Sequence, residues 1–494
     1  MTRKLNIWGD HPIKASLLDW FTARGYEVTA SADLVLPDKV EADDIVILSA
    51  DDTQAMNFLS GLAALPVSNA SGARPAVHLL LKGNTLLGVL RASDFPKALN
   101  QAFDVYPFTM EDTWAWNMIV RLPGEESAIK PLDRESVAPG SDKFVHLVIA
   151  GFDTYATALA VKAALSCHFP NYNPKDRFPL RTRITFIQPS ASEYSSQFIK
   201  TYRSLFDNSF YREVSVKDRK AVLHRPQFFG EREDFVDVEW EFVDADISDT
   251  DIVTRLARWA DDPRRILTIA LSDSSDKVNL DACLALPEVI FDKGIPVWIR
   301  QKDSLLTDSL RQAPKYSAVV PFGMETSGYN PALPEMKLAR LVNYVYSYYC
   351  KEGKLPTEIP VAEAEKLWKE IASYKIRMSN VSNVMLMAVK MRSAEHSDIE
   401  DLSRAEHNRW SVERLLSGSR PCTDEQREAI RNDISLKKKF KVEKDIHYDL
   451  CSYDELGTDE NGNDVRIYDK NLTACIPLMV DTYLKMTENE QVGR

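Results

Sequence analysis

Between Leu402 and Gly418 the chain reads Leu-Ser-Arg-Ala-Glu-His-Asn-Arg-Trp-Ser-Val-Glu-Arg-Leu-Leu-Ser-Gly. Wound as one helix at 100° per residue, it sets Ala405, Val412, Leu415 and Leu416 on one stripe. Glu406, His407, Trp410 and Arg414 then gather on nearly the opposite side. An indole among a carboxylate, an imidazole and a guanidinium is the wall a flat polar ligand needs, since the ring stacks while its neighbours supply hydrogen bonds and charge. A second element covering the ring as ordinary core would give the same pattern, and periodicity leaves both readings open. Glu406, His407 and His447 could also support acid–base chemistry, with a carboxylate tuning an imidazole. No nucleophile accompanies them, and no catalytic residue is assigned.

Other chemical signatures are missing from the sequence. There is no Gly-x-Ser-x-Gly, His-Glu-x-x-His, Walker-type loop or kinase set. The eight histidines do not pair at metal spacings, and the six cysteines show no Cys-x-x-Cys, so neither a metal site nor a disulfide framework is expected. Those cysteines read as buried thiols. The acidic stretch Asp454 to Asp464 alternates carboxyl and amide oxygens but lacks the residue order of a calcium loop, and it reads as a hydrated turn.

Four segments in order carry a family resemblance: Glu406-His407-Asn408-Arg409-Trp410, then Leu415-Leu416-x-Gly418, then His447 to Leu456, then Arg466-Ile467-Tyr468-Asp469-Lys470. Together they resemble the ryanodine-receptor repeat, the Ryr domain, and Trp368 with Lys375 to Asn380 resembles the upstream part of its bacterial members. The likeness covers roughly 360 to 490. It departs after Gly418, where Ser419, Arg420, Pro421 and Cys422 replace the family's Trp-x-Tyr-Gly. The resemblance implies a mainly helical domain that binds an adenine-type nucleotide, with Trp410 stacked on the base. Glu406 and Asp469 would accept hydrogen bonds, while Arg414, His447, Arg466 and Lys470 face phosphate or ribose and His407 and Asn408 complete the set. The animal channels carry tandem repeats and this chain carries one, so a base held between two tryptophans implies a homodimer with Trp410 near its axis.

The elements that must position these groups follow from the rest of the chain. With 494 residues, 44% hydrophobic and 27% charged, the composition is that of a globular protein of several domains. A net charge of −12 argues against a general nucleic-acid partner. Lys437-Lys438-Lys439-Phe440-Lys441 reads as a loop that is a solvated face or meets a phosphorylated ligand. No apolar run is long enough to cross a bilayer and the amino terminus lacks a signal sequence, so no membrane insertion and a cytoplasmic location are expected.

Two stretches repeat one script. Apolar strands end at Gly9 and at Gly151, each followed by a helical pattern (13 to 24 and 156 to 164). The strands at 44–51, 76–81 and 105–111 have counterparts at 265–273, 295–300 and 319–325, and a further strand lies at 183–187. Short apolar strands alternating with helical patterns read as a doubly wound parallel sheet, here built twice. The expected organisation is an α/β chain. It has a degenerate Rossmann-like domain at 1–122, a Pro/Gly/Ser-rich linker at 123–142, a second Rossmann-like domain at 143–330 with a packed insertion at 200–236, and a helical Ryr-like domain at 335–494. The second copy resembles the TrkA N-terminal domain, with Gly151 at its first glycine and Val243 to Asp249 at its Gly-Asp-Ala-Thr-Asp stretch. That resemblance implies a dinucleotide near Gly151, Asp153, Thr154 and Asp246. The glycine fingerprint is broken in both copies: Asp153 stands where backbone must approach pyrophosphate, and Gly9 is alone in the first copy.

The leading expectation is therefore a non-enzymatic sensor of a purine nucleotide or nucleotide-derived signal, requiring no cofactor and relaying to a separate effector protein. Two alternatives stay open. One is an NAD(P)-dependent or nucleotide-processing enzyme using the second Rossmann copy, and the other is a regulatory subunit of an ion channel or transporter.

Overall fold

In the computed structural model of the chain, residues 2–69, 73–93, 95–134, 136–371, 373–459 and 461–492 are described. The apolar runs of the first domain form a five-stranded parallel sheet in the order Glu27–Ser31, Lys4–Gly9, Asp44–Leu48, Ala76–Leu80, Asp104–Phe108. In chain order this is 2-1-3-4-5, a doubly wound arrangement. The second sheet runs Lys220–His224, Tyr211–Ser215, Val238–Asp244, Thr182–Ile187, Phe144–Ala150, Arg265–Leu271, Val297–Arg300, Val319–Phe322. Its last six strands have the order 3-2-1-4-5-6 found in dinucleotide-binding folds. The fold is thus α/β, with two Rossmann-like parallel sheets and a helical carboxyl-terminal region.

Both sheets are covered on both faces, which explains their continuous apolar strands. Along Phe144–Ala150, Val145, Leu147 and Ile149 enter one core while Val148 and Ala150 enter another. In the first sheet Leu5 and Ile7 lie on one side and Ile45 and Ile47 on the other. The insertion contributes two strands at the sheet edge: Tyr211–Ser215 pairs in parallel with Val238–Asp244, and Lys220–His224 closes it antiparallel. No residue of either strand is fully buried, as suits the edge of a sheet.

Residues 123–142 hold no helix or strand among the described residues, yet they are not a free tether. Leu132 and Val137 are buried, and Asp133 takes a bidentate contact from Arg392 at 2.8 and 2.9 Å. One contiguous core runs from Leu5 and Trp114 through Leu132 and Val137 to Leu147, Leu386, Ala405 and Leu450. Polar contacts follow the same seam, with Trp114 Nε1 donating to Met324 O at 2.9 Å and Asn117 Nδ2 to Gly328 O at 2.8 Å.

The helical region comprises Pro334–Glu352, Val361–Glu370, Tyr374–Met385, Met387–Ser393, Ile399–Leu416, Asp424–Asn432, Ser435–Lys444, Arg466–Ala474 and Ile476–Val492. The lysine run expected as a loop lies within the helix Ser435–Lys444, consistent with the good helix propensity of lysine. Cys350 is exposed, contrary to the expectation that every cysteine is buried, while the other five are buried. No described helix is long and apolar enough to cross a membrane.

Candidate functional site

The helix Ile399–Leu416 starts at a capping box in which Asp398 and Asp401 satisfy each other's backbone N–H, and its stripe Ala405, Val412, Leu415 is buried as periodicity requires. Gly418, at φ +93°, reverses the chain so that Arg420–Pro421 pairs with Ile446–His447. This pairing brings His447 to the helix. The ring of His407 stacks on Trp410 at 5.6 Å and 24°, and His447 meets the indole edge-on at 4.8 Å. Trp410 is half-buried, packed along one side against the shared core.

His447 is buried, and its Nδ1 has no hydrogen-bond partner, the nearest Asp449 oxygen lying at 3.7 Å. Burial, and then the charges of Lys441, Arg414 and Lys437, push its pKa down to about 2, so the imidazole is neutral. The Nε2–H of His407 donates to Cys451 O at 2.9 Å, leaving Nδ1 as an acceptor 3.7 Å from Asp469. Burial and the neighbouring Glu406 push the Asp469 carboxyl up to about 8. At neutral pH Asp469 therefore carries a proton, where the sequence reading made it an acceptor. An unfolded carboxyl releases its proton near ~4. Between that pH and about 8 the folded state alone keeps the proton, so stability falls as pH rises through this window. Asp469→Asn is expected to flatten that fall and to exceed the parent chain in stability above pH 8. Urea melts at pH 5, 7 and 9 check it, and parallel curves for the two proteins would refute the assignment.

Several residues assigned to the ligand are engaged elsewhere. Glu406 is buried and forms no pocket wall: Oε1 accepts from Asn383 at 2.8 Å and from Arg409 at 2.9 Å, and Oε2 accepts from Lys390 at 2.7 Å. The helix is packed on two sides, so its polar stripe meets a second layer of protein. Asn408 reaches Asp237 of the second domain at 3.3 Å, and Asp237 also binds His168 at 2.7 Å. Arg466 folds back on Asp464 at 2.9 Å, and Lys470 pairs with Glu400. Arg414 keeps its place beside His447, bonded to Glu413 and to Ser379 at 3.2 Å.

Arg414 and Glu413 also line a cavity of about 560 Å³ where the three domains meet. There Lys162, buried on the helix Thr154–Ser166, sits 3.0 Å from Asp112, which Arg91 holds from the other side at 3.0 Å. Burial pushes the Glu335 carboxyl in this cavity up to about 7. Sequence reading missed this cluster. Its one signal was Lys162 itself, the single charge in the run Thr154-Tyr-Ala-Thr-Ala-Leu-Ala-Val-Lys-Ala-Ala-Leu-Ser166, and Lys390 stands alone in the same way after Met387-Ala388-Val389.

The crevices at the carboxyl ends of both sheets are filled by the chain's own side chains. Gly151, at φ +111°, packs so closely on the backbone of Ser272 that a Cβ would overlap its carbonyl. Asp153 then caps its helix, accepting from Ala156 N at 2.8 Å and Ser272 Oγ at 3.0 Å, and pairs with Arg300. A carboxylate thus sits on the helix N-terminus where pyrophosphate binds in nucleotide-loaded relatives of this fold. Thr154 donates to Glu111 at 3.1 Å, and Asp246 is held in its own turn by Ser248 at 2.6 Å. In the first copy Lys14 occupies the same place, its ammonium on the carbonyls of Gly9 at 2.8 Å and Ser31 at 3.2 Å.

Among the described residues no group of His, Cys, Asp and Glu could hold a metal. In the acidic turn Asp459 accepts from the backbone of Asn461 and Asn463 and from Tyr468, while Glu460 lies outside the described residues.

No protein-family profile matches the chain, and no curated protein matches its sequence. Among solved structures, it is similar to a D-isomer specific 2-hydroxyacid dehydrogenase from Lactobacillus delbrueckii ssp. bulgaricus in its NAD-complexed form. The identity is 9% and the TM-score 0.20, over 80% of this chain and 98% of that one. A superposition that loose carries no weight for function, and the Rossmann-like assignment rests on strand order alone.

Proposed function

We propose that the chain is a non-enzymatic sensor of a purine nucleotide or nucleotide-derived signal, bound at the Trp410 face of a Ryr-like helical domain. The observation that carries this reading is a half-buried indole beside a neutral, unpartnered imidazole, with Lys437, Lys441 and Arg414 close by. The exposed part of the ring takes the base, His447 hydrogen-bonds it, and the cations take phosphate. Asp469 serves as a donor, and Glu406 acts behind the site by fixing Lys390 and Arg409. Phosphate drawing Arg414 away from Glu413 would change the wall of the interdomain cavity, which gives the ligand a route to the two sheets. A second chain would close the open side of the ring, making a homodimer. The reading as an NAD(P)-dependent enzyme is disfavoured by the side chains that fill both crevices.

Thermal-shift screening of the full chain against adenine and guanine nucleotides, with NAD alongside, tests the proposal. A purine nucleotide is expected to raise the melting temperature and NAD to leave it unchanged. Trp410→Ala should weaken the response by about 5- to 150-fold in Kd, the range for loss of one base–aromatic stack of ~1–3 kcal/mol. Gel filtration with the nucleotide present should give a dimer. A flat panel, or a response indifferent to Trp410→Ala, would overturn the assignment.

A further inference from the structure

A second cleft, of about 1060 Å³, opens at the amino ends of the second sheet, opposite the Rossmann crevice. Phe144, Arg183, Glu239 and Arg265 form its floor, and the insertion hairpin and the loop Leu450 to Glu455 flank it. On a chain with a net charge of −12, its basic side chains outnumber its acidic ones by nine to six. Three of the six acids are paired: Glu239 with Arg183, Asp234 with Arg181 and Glu233 with Lys175. Arg177 and Arg225 have no carboxylate partner among the described residues and lie over the rings of Phe178 and Phe229, at 5.2 and 5.0 Å. Arg212 comes only within 3.9 Å of Glu241, which Arg255 already binds at 2.7 Å. Arg265 donates to neutral His146 at 2.7 Å and reaches a carboxylate, that of Asp262, only at 3.7 Å.

The aromatic component narrows the ligand. Phe178 is 77% exposed and Phe229 49%, two large rings on the rim beside unpaired guanidiniums. Guanidiniums set beside exposed aromatic rings match a strand that offers phosphates and flat bases together. The cleft also slightly exceeds the ~300–1000 Å³ typical of sites for single small molecules. We propose that this cleft binds a short segment of single-stranded nucleic acid, with Arg177, Arg212 and Arg225 on phosphates and Phe178 and Phe229 stacked on bases. Base-free polyphosphate or an acidic peptide would satisfy the arginines and leave both rings idle.

Fluorescence anisotropy of labelled ten-nucleotide DNA and RNA strands with the full chain, across a salt series, tests this, with polyphosphate and polyglutamate as competitors. Binding that weakens with salt is expected. The exposed double variant Arg177→Ala/Arg225→Ala should weaken it at least tenfold and lower the slope of log K against log salt by about two, one per lost phosphate contact. Phe178→Ala/Phe229→Ala should weaken oligonucleotide binding while leaving polyphosphate competition intact, and Trp410→Ala should change neither. No binding at low salt overturns the proposal, as does indifference to both double variants. Loss with the arginine pair but not the phenylalanine pair overturns it in favour of a site that reads charge alone.

Discussion

Replacing Glu406 by alanine is expected to destabilise the chain by about 3–5 kcal/mol, the range for removing one partner of a buried ion cluster. Lys390, Glu406 and Arg409 are each no more than 2% exposed, and the carboxylate holds both cations. Without it, Lys390 loses its carboxylate in a low-dielectric interior beside Asn383, and Arg409 keeps only Glu413 at 2.8 Å. Burial alone would raise the Glu406 pKa, but Arg409 and Lys390 pull it below the usual carboxylate range. Its stabilising contribution is therefore present above the unfolded carboxyl pKa and disappears as pH falls through the folded one. Urea denaturation at pH 7 followed by far-ultraviolet circular dichroism measures the loss. A loss under 1 kcal/mol would mean that water reaches the cluster.

Gly151→Ala is the second large effect, expected to destabilise by about 3 kcal/mol or more. A residue with a side chain at φ +111° carries about 1–3 kcal/mol of backbone strain. Overpacking against rigid neighbours adds about 1–3 kcal/mol more. The Cβ has no flexible side chain to displace, because its nearest neighbours are backbone atoms of Ser272 and Asp273. Gly25→Ala is the internal control: its φ is also positive, at +75°, but nothing lies within 4 Å of the added methyl. It should show the strain alone. Equal losses in the two variants would show that the close approach of the two strands contributes nothing.

The fold was legible where local pattern and tertiary packing agree. Val and Ile runs such as Asp44–Leu48 and Arg265–Leu271 are strands because both faces are covered, and Gly9 and Gly151 announced tight turns through their place at strand ends. The edge strands Tyr211–Ser215 and Lys220–His224 were not legible as strands, since the first takes its register from a distant partner at 238–244 and the second pairs only with the first. The helix Ile399–Leu416 was read correctly as a helix with two faces, but periodicity cannot say what packs on the second. Lys390, sixteen residues upstream, and Asn383 decide that Glu406 is structural. Asp112 and Lys162 were unreadable as a pair because they belong to different domains and meet only when those domains dock.

The unbroken apolar seam from Leu5 through Val137 to Leu450 bears on how the polypeptide can be cut. Its three sequence regions are not detachable beads. A fragment beginning near residue 335 would lift Leu386, Ala405, Val412 and Leu415 off their partners and present them to water, where they favour self-association. Only the three regions together bring every wall of the interdomain cavity into being.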